Sequence, residues 1–379
     1  MITRTIQKQI EDNLFKNKVI VLYGARRTGK TTLSKQILEK HGVNGRYINC
    51  ELFAEKKRLQ SENEQDLFNF LGQYKVVVLD EAQVVPNIGR ILKILVDTFP
   101  QIQIIATGSS SFDLANQIGE PLTGRSRQFM LYPLSLGELV QSGFDSAQID
   151  SRLSNILRFG MMPSVFGKTM NEAIPEISEI TTNYLYKDIL MYQKLKKSEL
   201  LDNLLEALAL QLGNEVSYRE LAKMLNTSPQ TIKNYIELLE KTFVIFRLRS
   251  FARNPRNEIA IKNSRKIYFY DIGVRNSIIR NFNEMSIRND VGAIWENFCV
   301  VEMMKKLQAG EIYYNQYFWR SKVNLKEIDL IVDYAGNLKC YEFKYGANSK
   351  AKVPKGFSDF YTDYSFDIVD KENYYRFLV

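Results

Sequence analysis

The chain has 379 residues, 45% of them hydrophobic and 25% charged, with a formal net charge of +8. That is a globular composition, too long for one ordinary core, so two or three domains are expected. One histidine, His41, and three distant cysteines, Cys50, Cys299 and Cys340, exclude a zinc finger or His-rich metal centre and argue against a Ser-His-Asp triad.

No run approaches about 18 apolar residues, and Met1-Ile2-Thr3-Arg4 opens no signal-peptide pattern, so a cytoplasmic protein without a membrane partner is expected. The positive balance favours a polyanionic partner, DNA above all.

The first clear element is Lys18-Val19-Ile20-Val21-Leu22-Tyr23, an apolar, β-branched run that reads as a buried strand. Gly24-Ala25-Arg26-Arg27-Thr28-Gly29-Lys30-Thr31 follows and fits G-x-x-x-x-G-K-[ST], the phosphate-cradling P-loop. A helix carrying Leu33, Ile37 and Leu38 on one face comes next, so the motif has the setting its chemistry requires. Gly24, Gly29, Lys30, Thr31 and Thr32 are the expected ATP-binding residues, with Lys30 on the phosphates and Thr31 on Mg²⁺.

Residues 45–51 read as a second strand and 61–72 as a polar helix. Residues 74–81 form a buried strand that ends in Asp80-Glu81, a Walker B pattern in which Asp80 serves the metal and Glu81 the attacking water. The strand at 102–106 leads into Thr107-Gly108-Ser109, where Thr107 or Ser109 is placed to sense the terminal phosphate. Arg125 or Arg127, before a last strand at 128–132, is the candidate for stabilising transition-state charge.

These motifs, with Val-Leu-Asp-Glu-Ala-Gln, Ala-Thr-Gly-Ser-Ser-Ser, Gly-Arg-Ser and Tyr-Pro-Leu-Ser, resemble a family of prokaryotic AAA-type ATPases close to the archaeal ATPase and origin-recognition-like branch. Phe159-Gly160-Met161-Met162-Pro163 looks like that family's lid-region Gly-Gly-x-Pro, with Met161 in place of the second glycine. The resemblance implies an ATP-hydrolysing core over 1–134 and a helical lid over 135–213, whose Leu201, Leu204, Leu205, Leu208 and Leu212 recur at helical spacing.

Residues 214–270 read as a winged helix. Ser217 with Glu220 has capping-box spacing, Ser228-Pro229 opens a second helix, and Ile232, Ile236 and Leu239 form its inner stripe. Gln230, Lys233 and Asn234 then face outward where a recognition helix meets bases. Residues 242–249 and 266–270 are the expected wing, with Arg253 and Arg256 between them as phosphate contacts. Segment boundaries are expected near 254–263 and 280–289.

An amphipathic helix is expected over 287–308, bearing Glu296. Asp329 stands thirteen residues before Glu342, and Glu342 and Lys344 share a strand face. This resembles the PD-(D/E)xK fold of restriction-type nucleases over 287–379, with Ile328 where the family name has Pro. The resemblance implies Asp329 and Glu342 as Mg²⁺ ligands, Lys344 beside the water or phosphate, and Glu296 completing the site.

The expected architecture is therefore α/β: an AAA-type P-loop core with helical lid, a winged helix-turn-helix and a restriction-endonuclease-like α/β domain. Two functions follow. In one, ATP state controls a DNA-binding or DNA-cleaving region. In the other, a nucleotide-gated switch binds a protein partner and the nuclease-like domain is scaffold.

Overall fold

A computed structural model describes residues 2–109, 122–185, 198–251, 265–321 and 326–379. Arg253 and Arg256 lie outside the described residues. By contact the chain divides into two compact units: Met1–Leu134 with Lys241–Phe243, and Ser135–Glu240 with Val244–Val379. Among the described residues, no helix is long and apolar enough to cross a membrane.

The first unit is built on a five-stranded, all-parallel sheet: β1 (Val19–Tyr23), β2 (Gly45–Asn49), β3 (Val76–Asp80), β4 (Gln103–Gly108) and β5 (Ser126–Met130), ordered β2-β3-β4-β1-β5. Its strands read as continuous apolar runs because both faces are covered. Val19, Val21, Val77, Leu79, Ile104 and Ala106 pack on one side, while Ile20, Leu22, Val76, Val78 and Ile105 pack on the other. Period-two side-chain alternation thus divides one hydrophobic string between two cores. The order also places β4 between the P-loop strand and the Walker B strand, which brings the end of β4 between their two sites.

The second unit holds a six-stranded mixed sheet: β6 (Ile245–Ser250), β7 (Arg265–Phe269), β8 (Asn315–Arg320), β9 (Glu327–Tyr334), β10 (Asn337–Phe343) and β11 (Tyr364–Val369), ordered β11-β10-β9-β8-β6-β7. The hairpin expected to be a free wing is β6 and β7, antiparallel as a wing would be. However, β6 also pairs in parallel with β8 through Arg249↔Tyr317 and Ser250↔Phe318. The division into a winged helix at 214–270 and a nuclease-like domain from 287 is therefore corrected, since one sheet runs through both.

Two further expectations are corrected by packing. The segment 135–213, expected as a lid on the ATPase core, groups with the second unit. Leu136 N–H donates to Glu302 at 2.7 Å, Tyr374 O–H donates to Asp150 at 2.5 Å, and Asn276 donates to the carbonyls of Leu157 and Arg158. The boundary expected near 280–289 falls inside the second unit: Arg158 donates to the Phe282 carbonyl at 2.9 Å, and Met285 and Arg288 are buried.

The helix Val291–Ala309 is not amphipathic. Trp295, Phe298, Val300, Val301 and Met303 are buried around its whole circumference, together with the ion pair Glu302–Lys305 at 2.7 Å. A helix covered on all sides reads as apolar all round, with its few charges paired.

The Gly160 turn has a specific task in this unit. Gly160 has φ +80°, and a Cβ there would lie 2.0 Å from a carboxylate oxygen of Asp271. Asp271 accepts from the Met161 N–H at 2.8 Å and the Val274 N–H at 3.1 Å, which caps the helix Ile272–Ile278. Met161, the departure from the family signature, points inward and is buried.

Candidate functional site

The P-loop leaves β1 at Tyr23 and turns at Gly24, whose φ is +154° and whose missing Cβ would lie 2.2 Å from the Leu131 carbonyl oxygen. No other residue fits so close a backbone approach. Arg27 and Gly29 also have positive φ, at 61° and 96°, and the helix Lys30–Glu39 starts at once. Successive N–H groups in such a turn face one concavity, at the positive end of a helix.

The Lys30 ammonium is buried inside the loop and donates to the carbonyls of Gly24 and Ala25, each at 2.9 Å. Arg4 holds the loop from outside, donating to the Thr28 carbonyl at 2.6 Å and the Tyr132 carbonyl at 2.5 Å. Motif reading missed Arg4, because it stands outside the motif and only the fold brings it there.

Three hydroxyls converge on Asp80. Thr31 donates at 2.9 Å, Tyr47 at 2.5 Å and Thr107 at 2.5 Å. Tyr47 comes from β2, next to β3 in the sheet, with Asn49 in register with Asp80. Burial and the Asp80 carboxylate push its phenol well above the usual tyrosine value, so it remains a donor. Its only signal in the sequence is its place two residues before a strand end.

Glu81 follows with φ 52°, a left-handed backbone that costs a glutamate about 1 kcal/mol. Its N–H donates to the Thr107 hydroxyl at 3.1 Å, and Gln83 bridges its carboxylate at 2.5 Å to the Ser109 hydroxyl at 3.2 Å. Thr107 and Ser109 are therefore both at the site, one on each carboxylate's network. Thr32 is exposed on the first helical turn.

Arg125 is not at this site. It precedes Ser126, which pairs with Val19 at the start of β1, whereas the P-loop leaves the other end beyond Tyr23↔Met130. Four residues of strand put about 13 Å between those ends. Arg125 instead pairs with Asp97 at 2.6 Å. Of the two arginines expected to stabilise transition-state charge, Arg125 thus stands at the end of the sheet away from the P-loop, and Arg127, opposite Ile20, stands near the same end.

In the second unit, Ser217 caps the helix Tyr218–Met224 through the Glu220 N–H, and Ser228 accepts from Thr231 at the start of Pro229–Lys241. Gln230, Lys233 and Asn234 are exposed; Gln230 donates to Asn234 at 2.8 Å, and Lys233 lies 3.7 Å from Glu237.

The C-terminal carboxylates meet on the mixed sheet. Asp329 on β9 accepts from the Phe343 N–H at 2.8 Å, which places it beside Glu342 on β10. Lys344 pairs with Glu342 at 2.7 Å. Burial, then the neighbouring carboxylates, push both Asp329 and Glu342 up to about 7.

Sequence reading did not foresee Lys266 of β7, which is fully buried among these groups. Its ammonium lies 2.8 Å from Glu296, 3.4 Å from Glu327 and 3.8 Å from Asp329. Glu296 also accepts from Tyr268 O–H at 2.6 Å. Burial works against the charge on Lys266, but Glu296, Asp329 and Glu327 more than offset it and hold its pKa above the usual lysine value. Among the described residues, no three acidic, histidine or cysteine side chains are arranged to hold a metal ion.

Comparison with known proteins bears on the first unit. Residues 16–140 match a family model described as an AAA domain. Two more, described as domains of unknown function (DUF8612 and DUF4143), match 150–285 and 291–376. The chain is 28% identical over 378 residues to an uncharacterized protein of Methanocaldococcus jannaschii, covering 92% of this chain and 79% of that one. It is 25% identical over 379 residues to an uncharacterized protein of Haemophilus influenzae, covering 95% and 88%.

Among solved structures, the Aeropyrum pernix ORC1 protein in complex with DNA is similar at 12% identity, covering 74% of this chain and 93% of that one. The TM-score of that likeness is 0.33. Over residues 16–140 the first unit is similar to an AAA domain, and its fold is an α/β domain with a parallel sheet core.

Proposed function

We propose that the chain is a Mg²⁺-dependent ATPase whose nucleotide state acts on a DNA-contacting second unit. The observation that carries the ATPase reading is the convergence of Thr31, Tyr47 and Thr107 on Asp80, with Lys30 in the adjoining loop. Lys30 is satisfied there by carbonyls that polyphosphate oxygens can replace, and Thr31 with Asp80 is an oxygen set suited to a hard cation. The residues fit both groups.

Lys30 and the loop N–H groups would hold the phosphates, and Thr31 and Asp80 would hold Mg²⁺, which supplies charge neutralisation when bound. Glu81 then accepts the proton of the attacking water, in a position fixed by Gln83. Lys30→Ala should abolish nucleotide binding. Glu81→Gln should retain binding within about twofold and lose turnover by roughly a hundredfold or more. Normal hydrolysis by Glu81→Gln would remove Glu81 from this role.

DNA as the partner is supported by the +8 charge and by the helix pair Tyr218–Met224 and Pro229–Lys241, whose second helix exposes Gln230, Lys233 and Asn234. Affinity for duplex should fall steeply with salt, and Lys233→Ala should flatten that slope. Absence of duplex binding at low salt, with and without ATP, would favour a protein partner instead. DNA cleavage forms no part of the proposal, because the C-terminal cluster already holds a cation of its own.

A further inference from the structure

The C-terminal carboxylates follow the pattern of a metal-dependent nuclease, yet a metal does not fit them as they are arranged. Each of the four has an ammonium within 4 Å: Lys266 serves Glu296, Glu327 and Asp329, and Lys344 serves Glu342. Lys266 has no exposed surface and comes from β7, last in the hydrogen-bonded order of the sheet. We infer that Lys266 is a built-in cation standing in the place of a divalent metal among Glu296, Glu327 and Asp329, so that this half of the chain neither cuts phosphodiesters nor needs metal to fold.

The chemistry follows from what each cation requires. An ammonium has three donors, and here three carboxylates surround it. A divalent ion needs oxygen ligands at about 2.0–2.6 Å. Bound to Asp329, such an ion would stand within roughly 5 Å of the Lys266 ammonium, inside a region that screens charge poorly. Both cations would also compete for the same oxygens. Glu296 is further committed by Tyr268, whose hydroxyl donates to the oxygen that Lys266 holds. The orphaned oxygen of this group, the second of Glu342, is buried without a hydrogen-bond partner. A proton satisfies it as well as a metal would, and the experiment separates the two.

Mn²⁺ is titrated into the full-length, nucleotide-free protein, with free ion followed by electron paramagnetic resonance and thermal melts run in parallel. The P-loop site is common to every variant and cancels in the comparison. Wild type and Lys266→Arg should bind no Mn²⁺ that is sensitive to Asp329→Asn or Glu342→Gln. Lys266→Met should gain one site, about a hundredfold or more tighter than in wild type. The site should be lost again in Lys266→Met/Asp329→Asn, and Mn²⁺ should raise the depressed melting temperature of Lys266→Met. A wild-type site that either carboxylate variant removes overturns the inference, as does a folded Lys266→Met that takes up no Mn²⁺. If Lys266→Met does not fold even with Mn²⁺, Lys266→Met/Glu296→Gln removes one charge of each sign and is judged by the same criteria.

Discussion

Single atoms decide several positions in this protein. At Gly160 a methyl group would meet the Asp271 carboxylate at 2.0 Å, on a backbone with φ +80°. Gly160→Ala should therefore destabilise the second unit by about 3 kcal/mol or more, read from its urea midpoint. Protons matter as much at Glu342, pushed up to about 7 in the fold from an ordinary value of 4.5. A raised carboxyl contributes its stability below the unfolded value and loses it as pH rises through the folded one. The second unit should thus weaken between about pH 4.5 and 7, by at most about 3 kcal/mol from this group. Glu342→Gln should flatten that part of the profile in melts across pH. Asp290 works the other way: burial opposes its charge, but Arg288 and Arg275 lower it from 3.8 to about 2, so its contribution is full above the unfolded value and is lost as pH falls from there through about 2.

At the scale of elements, the β6–β7 hairpin is legible as a hairpin, because two apolar runs, one with β-branched residues and one rich in aromatics, are hard to mistake. Its neighbour was not legible. The β6–β8 pairing is two residue pairs long and joins segments separated by some sixty residues, and no local pattern announces it. The helix Val291–Ala309 failed for a related reason: burial on all sides is set by what packs there. A fragment of residues 291–379 should consequently stay unfolded, since it lacks β6, β7 and the lysine that neutralises Glu296, Glu327 and Asp329. Residues 135–379 should fold. Circular dichroism and proteolysis of the two fragments would decide it.

For the whole molecule, two compact units with one nucleotide site should melt in two calorimetric transitions. Only the transition of the first unit should rise with ATP and Mg²⁺, by an amount equivalent to about 2.7 kcal/mol at a hundredfold excess over Kd. Lys30→Ala should leave both transitions in place and abolish the rise.

By itself the sequence determined the P-loop turn, the strand that ends in Asp80 before Glu81, the caps at Ser217 and Ser228, and the strand that bears Glu342, with Lys344 just past its end. All are short-range: a loop, a strand end, a helix start, a period of two. Only the tertiary structure decided that Tyr47 reaches Asp80, that Arg4 braces the P-loop, that Arg125 stands at the end of the sheet away from the P-loop, and that Lys266 enters the acidic cluster. Each of those depends on strand order or on a lone residue outside any motif. The charge that settles a site can come from anywhere in the chain, because Coulomb attraction acts across space and leaves no spacing to read.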